Sequence, residues 1–218
     1  MFLTLNSASA AIKIMPLGDS LTAGGYNENG QFKIGGGYRV KLDALLKAAG
    51  LDFIFVGSLH DGPPDFLNNA HEGHSGWRID QIQDSVVTWL QSAKPDLILL
   101  MIGTNDLVQD HDFEHAPERF ETLLNLIEQT SPQATIIVSS VIPTENEDWN
   151  SQIEDYNQRI LEVITQHTST GHKLRFADMY NDAGLNHDRS DLIDGVHPNP
   201  VAYEKLSPVW ADSIKSLY

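Results

Sequence analysis

A three-layer α/β/α sandwich on a mostly parallel, five-stranded sheet is the fold class that this sequence predicts, and three observations carry it. Short apolar runs recur along the 218 residues with helix-patterned segments between them, the alternation of repeated βαβ units. One run, Leu97-Ile98-Leu99-Leu100-Met101-Ile102, is unbroken and bounded by Pro95 and Gly103, as expected of a strand covered on both faces. Residues able to do chemistry stand at the ends of such runs, where ligands bind in open α/β sheets.

Taken in order, Ala11 to Leu17 predicts the first strand, with Gly18-Asp19-Ser20 directly after it. Leu42, Leu45, Leu46 and Ala49 mark the inner face of a first helix, and Phe53 to Val56 a strand. Ile79, Ile82, Val86 and Leu90 recur at helical spacing before Leu97–Ile102, and Phe120, Leu123, Leu124 and Ile127 do so after it. Thr135 to Val138 is strand-like. Ile153, Tyr156, Ile160, Val163, Ile164 and His167 mark a fourth helix, and Leu206, Val209, Trp210, Ile214 and Leu217 a fifth. With right-handed crossovers, Gly18-Asp19-Ser20, the Gly76 region and Gly103-Thr104-Asn105-Asp106 fall on one rim. No repeat or linker divides the chain, so one domain is expected over 1–218, with 1–10 a loosely ordered extension.

Composition narrows the class. A hydrophobic fraction of 41% and a charged fraction of 20% fit a globular protein, and no apolar stretch approaches the ~20 residues of a membrane span. Thirty acidic residues against 14 basic ones give a net charge of −16, which repels phosphate backbones and argues against nucleic acid as a partner. Without cysteine there is neither disulfide nor thiol catalysis, and the compartment stays open. Met1 to Ala10 lacks the basic and apolar regions of a signal peptide, and Ser9-Ala10-Ala11 reads at most as a cleavage remnant.

A serine hydroxyl becomes a nucleophile only beside a base, and the base needs a group to orient it. Asp194-Gly195-Val196-His197 offers both to Ser20, because a tight turn brings the carboxylate back to the imidazole. The competing readings are that Ser20 is an N-cap, that Asp194 merely caps the helix after Pro200, and that Asp191 is the acid instead. Asp19 is expected to bond loop amides, since a second carboxylate taking part beside the nucleophile would oppose its deprotonation. Acyl transfer also needs donors aimed at an oxyanion; the Ser20 N–H, the Gly76 N–H and the Asn105 side chain are the candidates. Singly, Gly76 reads as a turn glycine and Asn105 as an Asx-turn residue; their order and placement at strand ends give them weight.

Other patterns carry less. Gly73-His74-Ser75-Gly76 approaches the Gly-x-Ser-x-Gly elbow, but Trp77 breaks it, leaving Ser75 a loop residue. His111-Asp112-Phe113-Glu114-His115 fits His-x-x-Glu-His, yet the stretch is polar, precedes Pro117 and has no third ligand, so no metal is expected there. His60, His71, His74 and His187 read as solvated loop histidines. Trp77, Tyr26 and Trp149 lie in or near loops that reach the rim and are candidate sugar contacts, with local packing the alternative.

From Ile14 to about Tyr203 the chain resembles the SGNH hydrolases, the GDSL esterase/lipase superfamily, whose four signature residues fall here on Ser20, Gly76, Asn105 and His197. Within it, the segments Glu72 to Ile82 and Met101 to Asp106 are similar to carbohydrate esterase family three, the acetylxylan esterases. The resemblance implies a flavodoxin-like sandwich and removal of acetyl groups from xylose units through an acyl-enzyme on Ser20, without metal or cofactor in catalysis. It also implies a secreted enzyme acting on a polysaccharide or small acyl ester, with a cytoplasmic one as the alternative. A structural calcium ion is suggested only by Asp61, Asp65 and Glu72. The alternatives are a lysophospholipase or thioesterase-like hydrolase of longer acyl chains and a catalytically silent carbohydrate-binding domain.

Overall fold

The computed structural model describes residues 10–218, so that all but Ala10 of the expected N-terminal extension lies outside the described residues. In chain order it runs β1 (Ile12–Gly18), α1 (Ser20–Ala23), β2 (Gly25–Glu28), β3 (Gln31–Ile34), α2 (Tyr38–Ala48), β4 (Phe53–Phe55), β5 (Leu59–His60), β6 (Ala70–Gly73) and α3 (Ile79–Ala93). There follow β7 (Leu97–Met101), α4 (Thr104–Val108), a 3₁₀ turn (Phe113–His115), α5 (Ala116–Thr130), β8 (Thr135–Ser139), α6 (Glu147–Ser169), β9 (Leu174–Ala177), α7 (Met179–Asp182) and α8 (Pro200–Lys215).

β1 occupies the middle of the sheet. On one side it pairs in parallel with β7, which pairs with β8 and β8 with β9. On the other side its neighbour changes along its length: β4 pairs with Ile12–Ile14, and β6 pairs with Leu17 and Gly18. Pro16, which has no N–H to give, falls between those two stretches, where a central strand tolerates it. β5 adds an antiparallel edge to β6. The sheet therefore has seven strands rather than the expected five, because one position is shared by β4 and β6 and β5 extends the edge.

Alternation along the strands builds the three layers. Leu97, Leu99 and Met101 of β7 face one core with α2 and α8, while Ile98 and Leu100 face the other with α3, α5 and α6. All five residues of β7 are fully buried, which is why the strand is apolar throughout; burying each such side chain is worth about 1.5–3 kcal/mol. The chain reverses its winding direction between β1 and β7, so the crevice at their carboxyl ends is the place for a site.

Candidate active site

β1 ends on Gly18 because nothing larger fits: a Cβ there would lie 2.0 Å from the Met101 carbonyl oxygen. The chain then turns into α1, with Asp19 as N-cap, its Oδ1 accepting the Leu21 N–H at 2.9 Å. Ser20 is thereby set as the first helical residue. Its N–H has no partner among the described residues, as befits the first turn of a helix. Asp19 is wholly buried, and burial pushes its carboxyl up to about 7 against the pull of the Leu21 N–H, with Asp106 nearby adding to the rise.

The histidine at this rim arrives from the far end of the chain. His197 Nε2 lies 2.9 Å from Ser20 Oγ, and His197 Nδ1 lies 2.9 Å from Asp194 Oδ2. A carboxylate only accepts, so Nδ1 carries the proton and Nε2 presents its lone pair to the serine hydroxyl. The turn that makes this reach is closed by the bonds Gly195 N–H to Leu192 O and Ile193 N–H to His197 O, both 2.9 Å. Asp194 Oδ1 accepts the N–H groups of Val196 at 3.1 Å and His197 at 2.8 Å, and Asn27 Nδ2 donates to Oδ2. Partial burial raises the Asp194 carboxyl, but the hydrogen bonds from His197 and Asn27 outweigh it and hold the group below the usual carboxylate range. Asp191 is occupied elsewhere, accepting from Lys205 Nζ and the Asn186 N–H, both at 2.6 Å. The cap of α8 is Asn199, not Asp194.

Two more loops meet this rim. His74 to Trp77 forms a four-residue turn closed by the Trp77 N–H on the His74 carbonyl at 3.1 Å, with Gly76 in third place at φ 81°, a conformation that favours glycine. The Gly76 N–H has no partner among the described residues; its carbonyl accepts Gln109 Nε2 at 2.7 Å. Asn105, second residue of α4 after β7, places Nδ2 2.9 Å from the Trp77 carbonyl and 3.3 Å from Asp19 Oδ2. Asp106 beside it accepts the Ile79 N–H at 3.0 Å and Arg119 Nη2 at 3.0 Å. The turns after β1, β6 and β7 are thus tied through Asp19, Asn105 and Asp106.

The sequence profile of the GDSL-like lipase/acylhydrolase family matches residues 17–205. The chain belongs to that family. A multidomain esterase of Ruminococcus flavefaciens is 32% identical over 97% of this chain, which spans only 29% of that relative's length. Among solved structures, a Clostridium thermocellum family 3 carbohydrate esterase is similar with TM-score 0.80 and 33% identity, covering 95% of this chain and 96% of that one. An acetyl esterase mutant with acetate ion matches with TM-score 0.80 and 28% identity over 94% of this chain and 97% of that one.

In this GDSL-like family member each aromatic candidate has local packing partners. Trp77 stacks on His74, which stacks on Trp89, with both pairs of centroids 4.4 Å apart. Trp149, near the start of α6, is half-buried against the same core. Tyr26 packs toward the α2 and α8 side and lines a groove of about 510 Å³ with Ile34, Val40, Pro63 and Tyr203. Adjacent residues of a strand point to opposite faces, so Tyr26 projects from the reverse of the hairpin to Asn27, whereas Ile34 shares the face of Asn27 and Phe32. The ring that touches His197 is one that sequence reasoning missed: Phe32 of β3, 5.3 Å away between centroids. The overlooked signal is Asn29-Gly30, whose positive φ values of 53° and 78° make the two-residue hairpin turn.

His71 and His74 are not solvated loop residues: His71 is fully buried in β6 and His74 lies in the aromatic stack. Burial, with Arg39 nearby, pushes His71 down to about 2, so it stays neutral. Ser75 is exposed in its turn. His115 pairs with Asp112 at 2.9 Å while His111 leans to Asp80 at 3.7 Å, so the two do not share a site. Asp61, Asp65 and Glu72 do not form a cation cage: Glu72 accepts from Ser58 Oγ and faces His74, and Asp61 faces His71 and gives its carbonyl to Arg39. Among the described residues no group of three or more such side chains could hold a metal, and no helix is long and apolar enough to cross a membrane.

Proposed function

We propose that this chain is a serine esterase that removes acetyl groups from acetylated carbohydrate, acetylated xylan foremost. The observation that carries the reading is the relay from Ser20 Oγ to His197 Nε2 and from His197 Nδ1 to Asp194 Oδ2, each step 2.9 Å. Ser20 Oγ attacks the ester carbonyl as Nε2 takes its proton, and the imidazolium that forms is stabilised by Asp194. The two unpartnered N–H groups, of Ser20 and Gly76, receive the oxyanion, and the Asn105 amide joins them by turning the Nδ2 hydrogen of its 3.3 Å bond to Asp19 toward the developing charge. His197 then returns the proton to the leaving sugar hydroxyl, and water attacks the acyl-enzyme by the same route.

Similarity to an acetyl esterase and to a family 3 carbohydrate esterase supports the acyl group and the class of alcohol. Residues 10–218 would act as one catalytic unit, outside the cell where polymeric xylan is met, with neither metal nor cofactor in the chemistry. The test is kcat/KM across p-nitrophenyl acetate, butyrate and octanoate, with acetate release from acetylated xylan in parallel and a chelated sample of each. The reading expects acetate to be preferred, octanoate hardly turned over, xylan deacetylated and chelation without effect. Preference for octanoate with no acetate from xylan would move the chain to lipid or thioester substrates.

A further inference from the structure

We propose that the hairpin of β2 and β3 is a positioning element for the His197–Asp194 pair, in which Asn27 fixes the carboxylate and Phe32 packs against the imidazole; the proposal rests on the esterase reading above. Asn27 and Phe32 stand directly opposite each other in the hairpin register, and residues so paired project from the same face. From that face Asn27 Nδ2 donates to Asp194 Oδ2, the oxygen that His197 Nδ1 also meets. The Phe32 ring stands edge-on to His197, with 69° between the ring planes.

The other donors to Asp194 belong to its own turn. The Val196 and His197 N–H groups and the His197 ring move with the carboxylate and cannot fix where the turn stands relative to Ser20. Asn27 can, because the hairpin continues directly from α1, whose first residue is Ser20. Among the described residues Asn27 is the one donor to Asp194 from a distant part of the chain. The nucleophile and the base are 177 residues apart in sequence, and the hairpin is the short bridge between them.

The base of the bridge is anchored: the Gly35 N–H bonds the Gly24 carbonyl at 2.9 Å, and Tyr203 Oη donates to the Gly25 carbonyl at 2.7 Å. Its second strand is exposed throughout, and Phe32 itself keeps 46% of its surface open. An apolar ring so exposed is explained by the imidazole it covers. It keeps water from that side of His197 and limits rotation of the ring, while Asn27 holds Oδ2 on the line of Nδ1–H as the imidazolium forms.

Asn27→Ala, Asn27→Asp and Phe32→Ala test this on the full chain with p-nitrophenyl acetate and with the far-downfield proton resonance of the His197 Nδ1–H, assigned by its loss in His197→Gln. Losing one hydrogen bond to a charged group predicts a fall in kcat of about ten- to a hundredfold for Asn27→Ala, with KM within about threefold and the Nδ1–H resonance broadened. Asn27→Asp keeps the shape but turns the donor toward Asp194 into an acceptor, so its kcat falls further; it decides the matter if the alanine variant does not fold. Phe32→Ala lowers kcat by about three- to tenfold. Asn27 variants with kcat within about twofold of the parent and an unchanged resonance overturn the proposal. A parent chain with no esterase activity would sink the esterase reading instead, and the resonance would still decide whether Asn27 positions the pair.

Discussion

Two aspartates flank the chemistry, and the same residue type behaves in opposite ways. Asp19, adjoining Ser20 in sequence, is sealed inside the fold, and its carboxyl is pushed up to about 7 by burial. Asp194, contacting His197, is partly open and accepts hydrogen bonds on both oxygens, which hold it below the usual range. Hydrogen-bond supply outweighs desolvation at Asp194 and does not at Asp19. Only Asp194 is therefore a permanent anion able to stabilise an imidazolium, whereas Asp19 serves as a buried hub for Leu21 and Asn105.

Exchanging the carboxylates one at a time should break that contrast unequally. Asp194→Asn presents an amide to Nδ1 and favours the wrong tautomer of His197, so kcat for p-nitrophenyl acetate should fall by about 10⁴ with little change in KM. Asp191→Asn, which disturbs the pair with Lys205 and the bond from the Asn186 N–H but nothing at His197, should leave kcat within about threefold and so separates the two aspartates. Asn105→Ala removes the side chain that links Asp19 to the Gly76 turn and offers a donor to the oxyanion; kcat should drop by about 10²–10³, with a smaller effect on KM.

Asp19→Asn should leave kcat within about tenfold, and its larger signature is in stability. Folded Asp19 holds its proton up to about pH 7 whereas the unfolded residue loses it near the ordinary ~3.9, so the native state binds more protons in between. Its contribution is full below about pH 4 and is lost as pH rises to about 7. Urea unfolding across that window should show stability falling with pH in the parent relative to Asp19→Asn, by a few kcal/mol at most. Parallel curves for the two would contradict the raised carboxyl.

The parts of this architecture that were legible are those where one physical demand acts alone. Leu97 to Met101 is apolar because both its faces are buried, and the strand falls where the run predicts it. Gly18-Asp19-Ser20 and Asp194–His197 could be paired from sequence because nucleophilic chemistry needs few residue types in few arrangements, and the fold sets Ser20 Oγ and Asp194 Oδ2 each 2.9 Å from the His197 ring. β6 hid because its interior is His71 and Glu72. Both are buried, and their polar atoms are satisfied by Asp61, the Gly73 N–H, Ser58 and His74, partners that no periodicity announces. The β2–β3 hairpin carried a turn signal in Asn29-Gly30, but its bearing on the site depends on Asp194, 167 residues from Asn27 in the chain. Trp77 kept both of its readings in the sequence because its stacking partner, His74, three residues before it, follows no aromatic pattern.

Whether Ser20 is the nucleophile activated by His197 is decided by covalent labelling with phenylmethylsulfonyl fluoride followed by peptide mass spectrometry and residual turnover of p-nitrophenyl acetate. A single adduct on Ser20 is expected, formed in step with loss of activity and absent from His197→Gln, in which no base takes the serine proton. An adduct on Ser75 or any other residue that tracks inactivation, with Ser20 unmodified, would contradict it.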